Sequence, residues 1–219
     1  VNYKPRVFTG VDPSKANVKP DYLVLDGQQR LTTLFQVFMS NNAVETCTEK
    51  NRKATIYRYY YLDIKKALDD NEDREDAIVS IPDDKLKKAD IGRTILLDLS
   101  TRDKEYENLM FPLNLIFSPN EATNWLLGLL QYYPGDAAKL ALYQDFNAKI
   151  ITPVTSYKLP VIKVLKNTSQ SSVCQIFENV NRGGVPLNVF ELVTASLAAE
   201  DVLLRQEWKA IKQKFNNYD

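Results

Sequence analysis

An apolar run, Tyr22-Leu23-Val24-Leu25, stops at Asp26-Gly27 and passes without a spacer into a helical stripe of Leu31, Leu34, Phe35 and Phe38. The run predicts a short buried strand, and the three-and-four spacing after it predicts an amphipathic helix. Strand, tight turn and helix in direct succession confine this part of the chain to folds in which a strand end feeds the first turn of a helix. Glycine permits the sharp turn. The first N–H groups of the helix have no acceptor within it and lie at the positive end of its dipole, which makes the turn a physical anion site.

The side chains around this turn suit phosphate chemistry. Arg30 carries a fixed fork of donors, Gln28 and Gln29 carry neutral donors, and Asp26 can hold a magnesium ion or orient a water. The spacing also allows a purely structural account, with Asp26 as helix N-cap and Arg30 in a surface ion pair. No Gly-x-x-x-x-Gly-Lys-Ser/Thr loop exists in the chain, so phosphate binding requires a different cradle.

The remaining pattern alternates strands and helices before turning helical. The Pro- and Gly-punctuated opening, 1–20, reads as an extended loop. Residues 54–62, rich in Tyr, Ile and Thr, read as a strand followed by a short helix over 63–68. Within that strand Tyr57, Tyr59, Tyr60 and Tyr61 are candidates for base stacking, although alternating tyrosines are more simply half-buried core. The acidic stretch 69–76 reads as a solvated loop rather than a metal site. Short strands are expected at 78–81 and 94–97, joined by a Lys-rich connection whose Lys85, Lys87 and Lys88 form a solvated face or a DNA contact. Helices are expected at 121–130 and 136–146, and a strand at 158–165. Further on, Val173, Ile176, Phe177 and Val180 form a helical stripe with Ser172 and Gln175 at capping-box spacing, closed by Asn181-Arg182-Gly183-Gly184. Helices around 188–197 and 204–215 follow. Trp208 belongs to the latter stripe, which argues against reading Glu207-Trp208-Lys209 as a metal-nuclease element.

Composition narrows the chemistry further. Histidine is absent, which removes the usual general base, the commonest zinc ligand and every histidine-metal nuclease from these 219 residues. The 28 basic and 28 acidic side chains cancel, so any DNA contact has to come from a local patch. Two cysteines, Cys47 and Cys174, without a signal peptide, fit free thiols in a cytoplasmic protein. No apolar run approaches the length of a membrane span. Val1 and the uninterrupted helical pattern up to Asp219 lead us to expect a larger parent protein.

The segment Leu25-Asp26-Gly27-Gln28-Gln29-Arg30-Leu31-Thr32 resembles the signature of the GmrSD N-terminal domain family, whose fold is similar to that of ParB and sulfiredoxin. A second segment, Phe177-Glu178-Asn179-Val180-Asn181-Arg182-Gly183-Gly184-Val185-Pro186-Leu187, resembles that family's Phe-x-x-x-Asn-x-x-Gly-x-x-Leu element through Phe177, Asn181, Gly184 and Leu187. The resemblance spans 22–199 and is looser between the two motifs. It implies an α+β fold, a ParB/sulfiredoxin-like small mixed sheet with a helical C-terminal part. On this reading 1–165 is the nucleotide-binding region and 166–219 the helical region that brings Asn181 and Gly184 to the cleft of Asp26.

The function implied is binding and hydrolysis of a nucleoside triphosphate with Mg2+, in a modification-dependent restriction or phage-defence protein. The catalytic set would be Asp26, Gln28, Gln29 and Arg30, with Asp26 also the metal ligand. Gly27, Thr32, Asn181, Arg182 and Gly184 would contact the nucleotide. Implied partners are DNA and a nuclease domain, in the parent chain or in another protein. Two other readings stay open: a ParB-like module that binds nucleotide or DNA without turnover, and a DNA nuclease. The nuclease reading is the harder to sustain without histidine or a carboxylate cluster.

Overall fold

The computed structural model describes residues 7–12, 14, 20–24, 26–48, 54–165, 167–169, 172–173, 175–176 and 179. They fall into two compact units, one drawn from positions 1–26 and 160–219, the other comprising Gly27–Leu159. Helices and small antiparallel sheets make up the second unit, so the fold is α+β.

The second unit is organised by one strand. Thr55–Asp63 (β2) alternates as its tyrosines require: Tyr59 and Tyr61 join Ile81, Leu99 and Met110 on one face, while Tyr60 and Leu62 join the main core on the other. The tyrosine ladder is thus largely core, with Tyr61 buried and Tyr57 exposed. β2 pairs antiparallel with Val44–Cys47 (β1), and Asp63 ends it by accepting hydrogen bonds from the Lys65 and Lys66 amides, which starts Ile64–Leu68 (α2). Ile78–Pro82 (β3) pairs along the other edge of β2, with Tyr59 opposite Ile81. The acidic stretch 69–76 is exposed throughout and ends in a 3-10 turn at Arg74–Ala77.

The Lys-rich connection is not a plain loop. Leu86–Ala89 forms a strand (β4) that pairs with Thr94–Asp98 (β5) in a separate two-stranded sheet, keeping Lys87 and Lys88 in solvent. Thr101 then caps Arg102–Asn108 (α3) through its hydroxyl. Leu109 closes α3 in a left-handed conformation with φ 54° and leads into the three-residue strand Met110–Pro112 (β6). β6 pairs with β2 at Tyr61–Asp63, sending Met110 to one face and Phe111 to the other.

Two helices cover the main core as the apolar spacing predicts. Pro119–Tyr132 (α4) buries Trp125, Leu126 and Leu129, and Asp136 caps Ala137–Phe146 (α5), which buries Phe146. Phe111 stands edge-on to both Trp125 and Phe146, with ring centroids 5.1 and 5.4 Å apart. The helix after α5 continues through a π-turn, Asn147–Ile151, into Thr152–Ser156 (α6). Pro153 explains the turn: it cannot donate to the Lys149 carbonyl, and in a regular α-helix its ring would clash with that carbonyl.

Three expectations give way. Leu23 and Val24 adopt no strand and are 41% and 49% exposed, and residues 158–165 form no strand either, with Val161 82% exposed. Both runs have strand composition, but a strand also needs a neighbour to take its main-chain groups. In the first unit, Lys163 instead donates from Nζ to the Tyr22 hydroxyl at 2.8 Å and lies over that ring. Finally, the helical turn carrying Ser172 and Val173 is capped three residues earlier than its capping-box spacing suggests. Ser169 Oγ accepts from the Ser172 amide and the Ser169 carbonyl from the Val173 amide, so Ser169 holds the cap position. The segments expected to be helical around 188–197 and 204–215 lie outside the described residues, as do Cys174, Phe177 and residues 181–184, where the helix is expected to end.

Candidate functional site

The first motif opens a helix. Gln28–Met39 (α1) begins at Gly27, which adopts φ 81° and ψ 7°, a left-handed conformation that an L side chain reaches only with strain. Gly27 rather than Asp26 occupies the N-cap position, and with no cap side chain it makes no side-chain bond to the first turn. The first intrahelical bond runs from the Leu31 amide to the Gly27 carbonyl at 2.9 Å, which leaves the Gln28, Gln29 and Arg30 amides without intrahelical acceptors. The first turn itself contains no acid.

Arg30 folds back over the same turn. A Cβ built on Gly27 would lie 3.6 Å from one guanidinium nitrogen of Arg30 and 3.8 Å from Nε. Gln29, Arg30 and Asp26 are exposed, and Asp26 sits in a bend directly before Gly27. Thr32 faces along the helix, its hydroxyl donating to the Gln28 carbonyl at 2.7 Å. Of the expected apolar stripe, Phe38, together with Val37, packs on the core, while Leu34 is 41% exposed. α1 is therefore anchored at its C-terminal end and presents its N-terminal turn outward. The structure brings Gly27, Gln28, Gln29 and Arg30 together; Asn181, Arg182 and Gly184 lie outside the described residues.

A second polar centre went unread in the sequence. Glu105 on α3 is 2% exposed, the one buried acid among the described residues. Its Oε2 accepts from Arg102 at 2.7 Å and from the Trp125 indole at 3.0 Å, and its Oε1 accepts from the Tyr61 hydroxyl at 3.2 Å. Lys85 Nζ stands 4.0 Å from Oε1. Burial first, then the neighbouring Glu105 charge, holds the Tyr61 hydroxyl well above the ordinary tyrosine range. In sequence, Glu105 is one more charge in a charged heptapeptide, Arg102–Asn108. Only Thr101 at the cap and the aromatic Tyr106 hint that one face is buried.

The described residues contain no group of three or more His, Cys, Asp or Glu that can hold a metal. Among them no helix is long and apolar enough to cross a membrane. The family model for the GmrSD restriction endonuclease N-terminal domain matches residues 5–198. The chain belongs to the GmrSD restriction endonuclease N-terminal domain family. This GmrSD N-terminal domain is also 26% identical over 202 residues to the uncharacterized protein MJ0686 of Methanocaldococcus jannaschii. That match covers 90% of the chain and 31% of the archaeal protein, so the chain spans about a third of the length of that relative. No solved structure matches the domain.

Proposed function

We propose that this GmrSD N-terminal domain binds a nucleoside triphosphate at the first turn of α1 and hydrolyses it, as part of a modification-dependent restriction or phage-defence system that acts on DNA. The observation that carries the reading is the N-terminal turn itself. Left-handed Gly27 opens α1 without a side-chain cap, the amides of 28–30 have no intrahelical acceptor, and Arg30 folds over the glycine. Such a turn suits phosphate oxygens, because main-chain donors, the helix dipole and the Arg30 guanidinium converge there.

The residues fit a magnesium-bound triphosphate. Mg2+ is commonly held by one or two carboxylates together with phosphate oxygens and water, so Asp26 suffices and no carboxylate cage is needed. When bound, the ion would neutralise charge on the transferred phosphoryl group. The 28–30 amides would hold phosphate oxygens, Arg30 would stabilise charge that develops during transfer, and Gln28 or Gln29 would orient the attacking water. Thr32, Asn181, Arg182 and Gly184 complete the proposed nucleotide contacts on the strength of the family motifs.

The test is a titration of the chain and its Arg30→Ala variant with ATP, GTP, CTP and UTP plus magnesium, by calorimetry with phosphate release followed in the same samples. Binding that weakens at least tenfold in Arg30→Ala, about 1.4 kcal/mol, supports the site. Binding without phosphate release would make the domain a sensor rather than a hydrolase. Nucleotide affinity unchanged in Arg30→Ala would refute the placement.

A further inference from the structure

β2 has a break in one of its ladders. β3 occupies one edge from Arg58 to Leu62, so β1 and β6 must share the other. β1 reaches only Arg58, and β6 begins at Tyr61. Between them, among the described residues, Tyr59 and Tyr60 have no strand partner on that edge. The break measures two residues, roughly 7 Å of main chain. It is too short to accept an added strand, and about as long as the edge of one flat heterocycle.

A cleft of about 270 Å³ opens at this break, just below the usual range for sites that take drug-sized ligands. Val44 and Pro112, the ends of β1 and β6, line it beside Tyr59 and Tyr60. On one side it is walled by the C-terminal end of α1 and the residues after it, including Gln36 and Asn42. The cations Arg58, Lys85 and Arg102 line it as well. The acids among the lining residues are Glu105 and Glu121. Glu105 is already engaged by Arg102, Trp125 and Tyr61, so its charge mainly orients its neighbours.

Arg58 is half-buried and has no ion-pair partner among the described residues. Lys85 is held with φ 58°, an unfavourable conformation for a lysine, by main-chain bonds to Pro82 and Leu99. The strained turn sets its ammonium 5.0 Å from the centroid of the Tyr59 ring. A left-handed lysine whose ammonium stands beside Tyr59 and Glu105, a half-buried arginine with no ion-pair partner among the described residues, and a stretch of strand edge unpaired among them converge on one small cleft.

We infer that this cleft is a second ligand site, distinct from the first turn of α1, that takes a single nucleoside monophosphate unit. The β2 edge and the amides of Gln36 and Asn42 meet the hydrogen-bonding edge of the base, and Arg58 and Lys85 meet the phosphate. The unit comes either from a free nucleotide or from a nucleotide unstacked from DNA. The inference stands apart from the triphosphate reading, since Arg30 lies at the opposite end of α1, roughly 15 Å from Ser40 along the helix axis.

The chain is titrated with dAMP, dGMP, dCMP and dTMP, and with a short duplex either fully paired or carrying one central mismatch. Each titration is repeated with Arg30→Ala, Asn42→Asp and the double variant Arg58→Gln/Lys85→Asn. Asparagine tolerates the left-handed turn at 85, and Asn42 is exposed, so Asn42→Asp adds repulsion without disturbing the core. Saturable binding is expected that weakens at least tenfold in the double variant and several-fold in Asn42→Asp, and persists in Arg30→Ala. Binding of a free monophosphate identifies the free nucleotide as the source. Preference for the mismatched duplex, with no monophosphate binding, identifies the unstacked one. Absence of saturable binding by every probe would overturn the inference. So would a loss confined to Arg30→Ala, or an equal loss in Arg30→Ala and the double variant.

Discussion

Replacing Glu105 tests the account of the core most directly. In Glu105→Ala the Trp125 indole N–H and the Tyr61 hydroxyl, both in buried residues, lose their acceptor. Each orphaned group costs about 1–3 kcal/mol. Arg102 contributes less, because its side chain is 49% exposed and its pairing is screened to roughly 0.5–1 kcal/mol. Lys85, 4.0 Å away, adds little. The sum is about 2.5–7 kcal/mol, which brackets the roughly 3–5 kcal/mol typical of breaking a buried charge pair. Glutamine should do better. Its carbonyl can take the Trp125 and Arg102 donors while its amide donates to a Tyr61 hydroxyl that has turned round, leaving a loss of about 1–2 kcal/mol. Urea unfolding followed by far-UV circular dichroism reads the difference. With a slope of about 2–3 kcal/mol per molar, a loss of about 3–5 kcal/mol in Glu105→Ala should lower the midpoint by about 1–2.5 M and Glu105→Gln should lower it by about 0.3–1 M. A loss below about 1 kcal/mol for alanine, or equal losses for both, would refute the claim that Glu105 is the shared acceptor of this core.

Other outcomes follow from particular contacts. A Cβ on Gly128 would collide with the Tyr106 hydroxyl and lie 2.7 Å from Cζ, in a ring already packed on Trp125 and Tyr132. Gly128→Ala should therefore destabilise by about 1–2 kcal/mol despite the better helix propensity of alanine; a stabilised variant in thermal melts would contradict the packing. Gly27→Ala should lose about 1 kcal/mol through its φ of 81°, and Gly27→Asn less, as read by urea midpoint. Stability should also fall above pH 10. The folded-state pKa values of Tyr61, Tyr106, Tyr133 and Tyr143 are raised by burial from 10.0, so the stability they supply is full below pH 10 and lost as pH climbs through the raised values. Tyr61→Phe should flatten the fall between pH 10 and 11 by up to about 1.4 kcal/mol; an unchanged slope would remove Tyr61 from the account.

What the sequence reveals depends on whether the deciding interaction is local. β2, α2, α4 and α5 are legible because their signals lie within a few residues: alternating tyrosines, Asp63 and Asp136 at cap positions, and an apolar spacing around Trp125. Leu23-Val24 and Lys158–Leu165 show the same composition as a true strand, yet nothing local records that no neighbour pairs with them. β6 is the converse case, three residues made a strand only by Leu62 and its neighbours. At the candidate site, the conformation of Gly27 and the start of α1 are readable from Asp26-Gly27 and the stripe that follows. The cleft at Arg58 and Lys85 is not, because it arises where two unrelated strands stop short of each other along β2.

The π-turn at Asn147–Ile151 sets a rule for insertions and deletions in this stretch. A π-turn is an α-helix carrying one surplus residue, absorbed without rotating what lies beyond it. Deleting one residue there should restore regular α-helix and leave α6 facing as before, whereas the same deletion inside α4 would swing every later side chain by about 100°. Pro153 opposes that restoration, because a regular helix would drive its ring into the Lys149 carbonyl. Chain length at 147–151 and the identity of residue 153 are therefore bound together: a homologue one residue shorter there should carry an ordinary helix former in place of the proline.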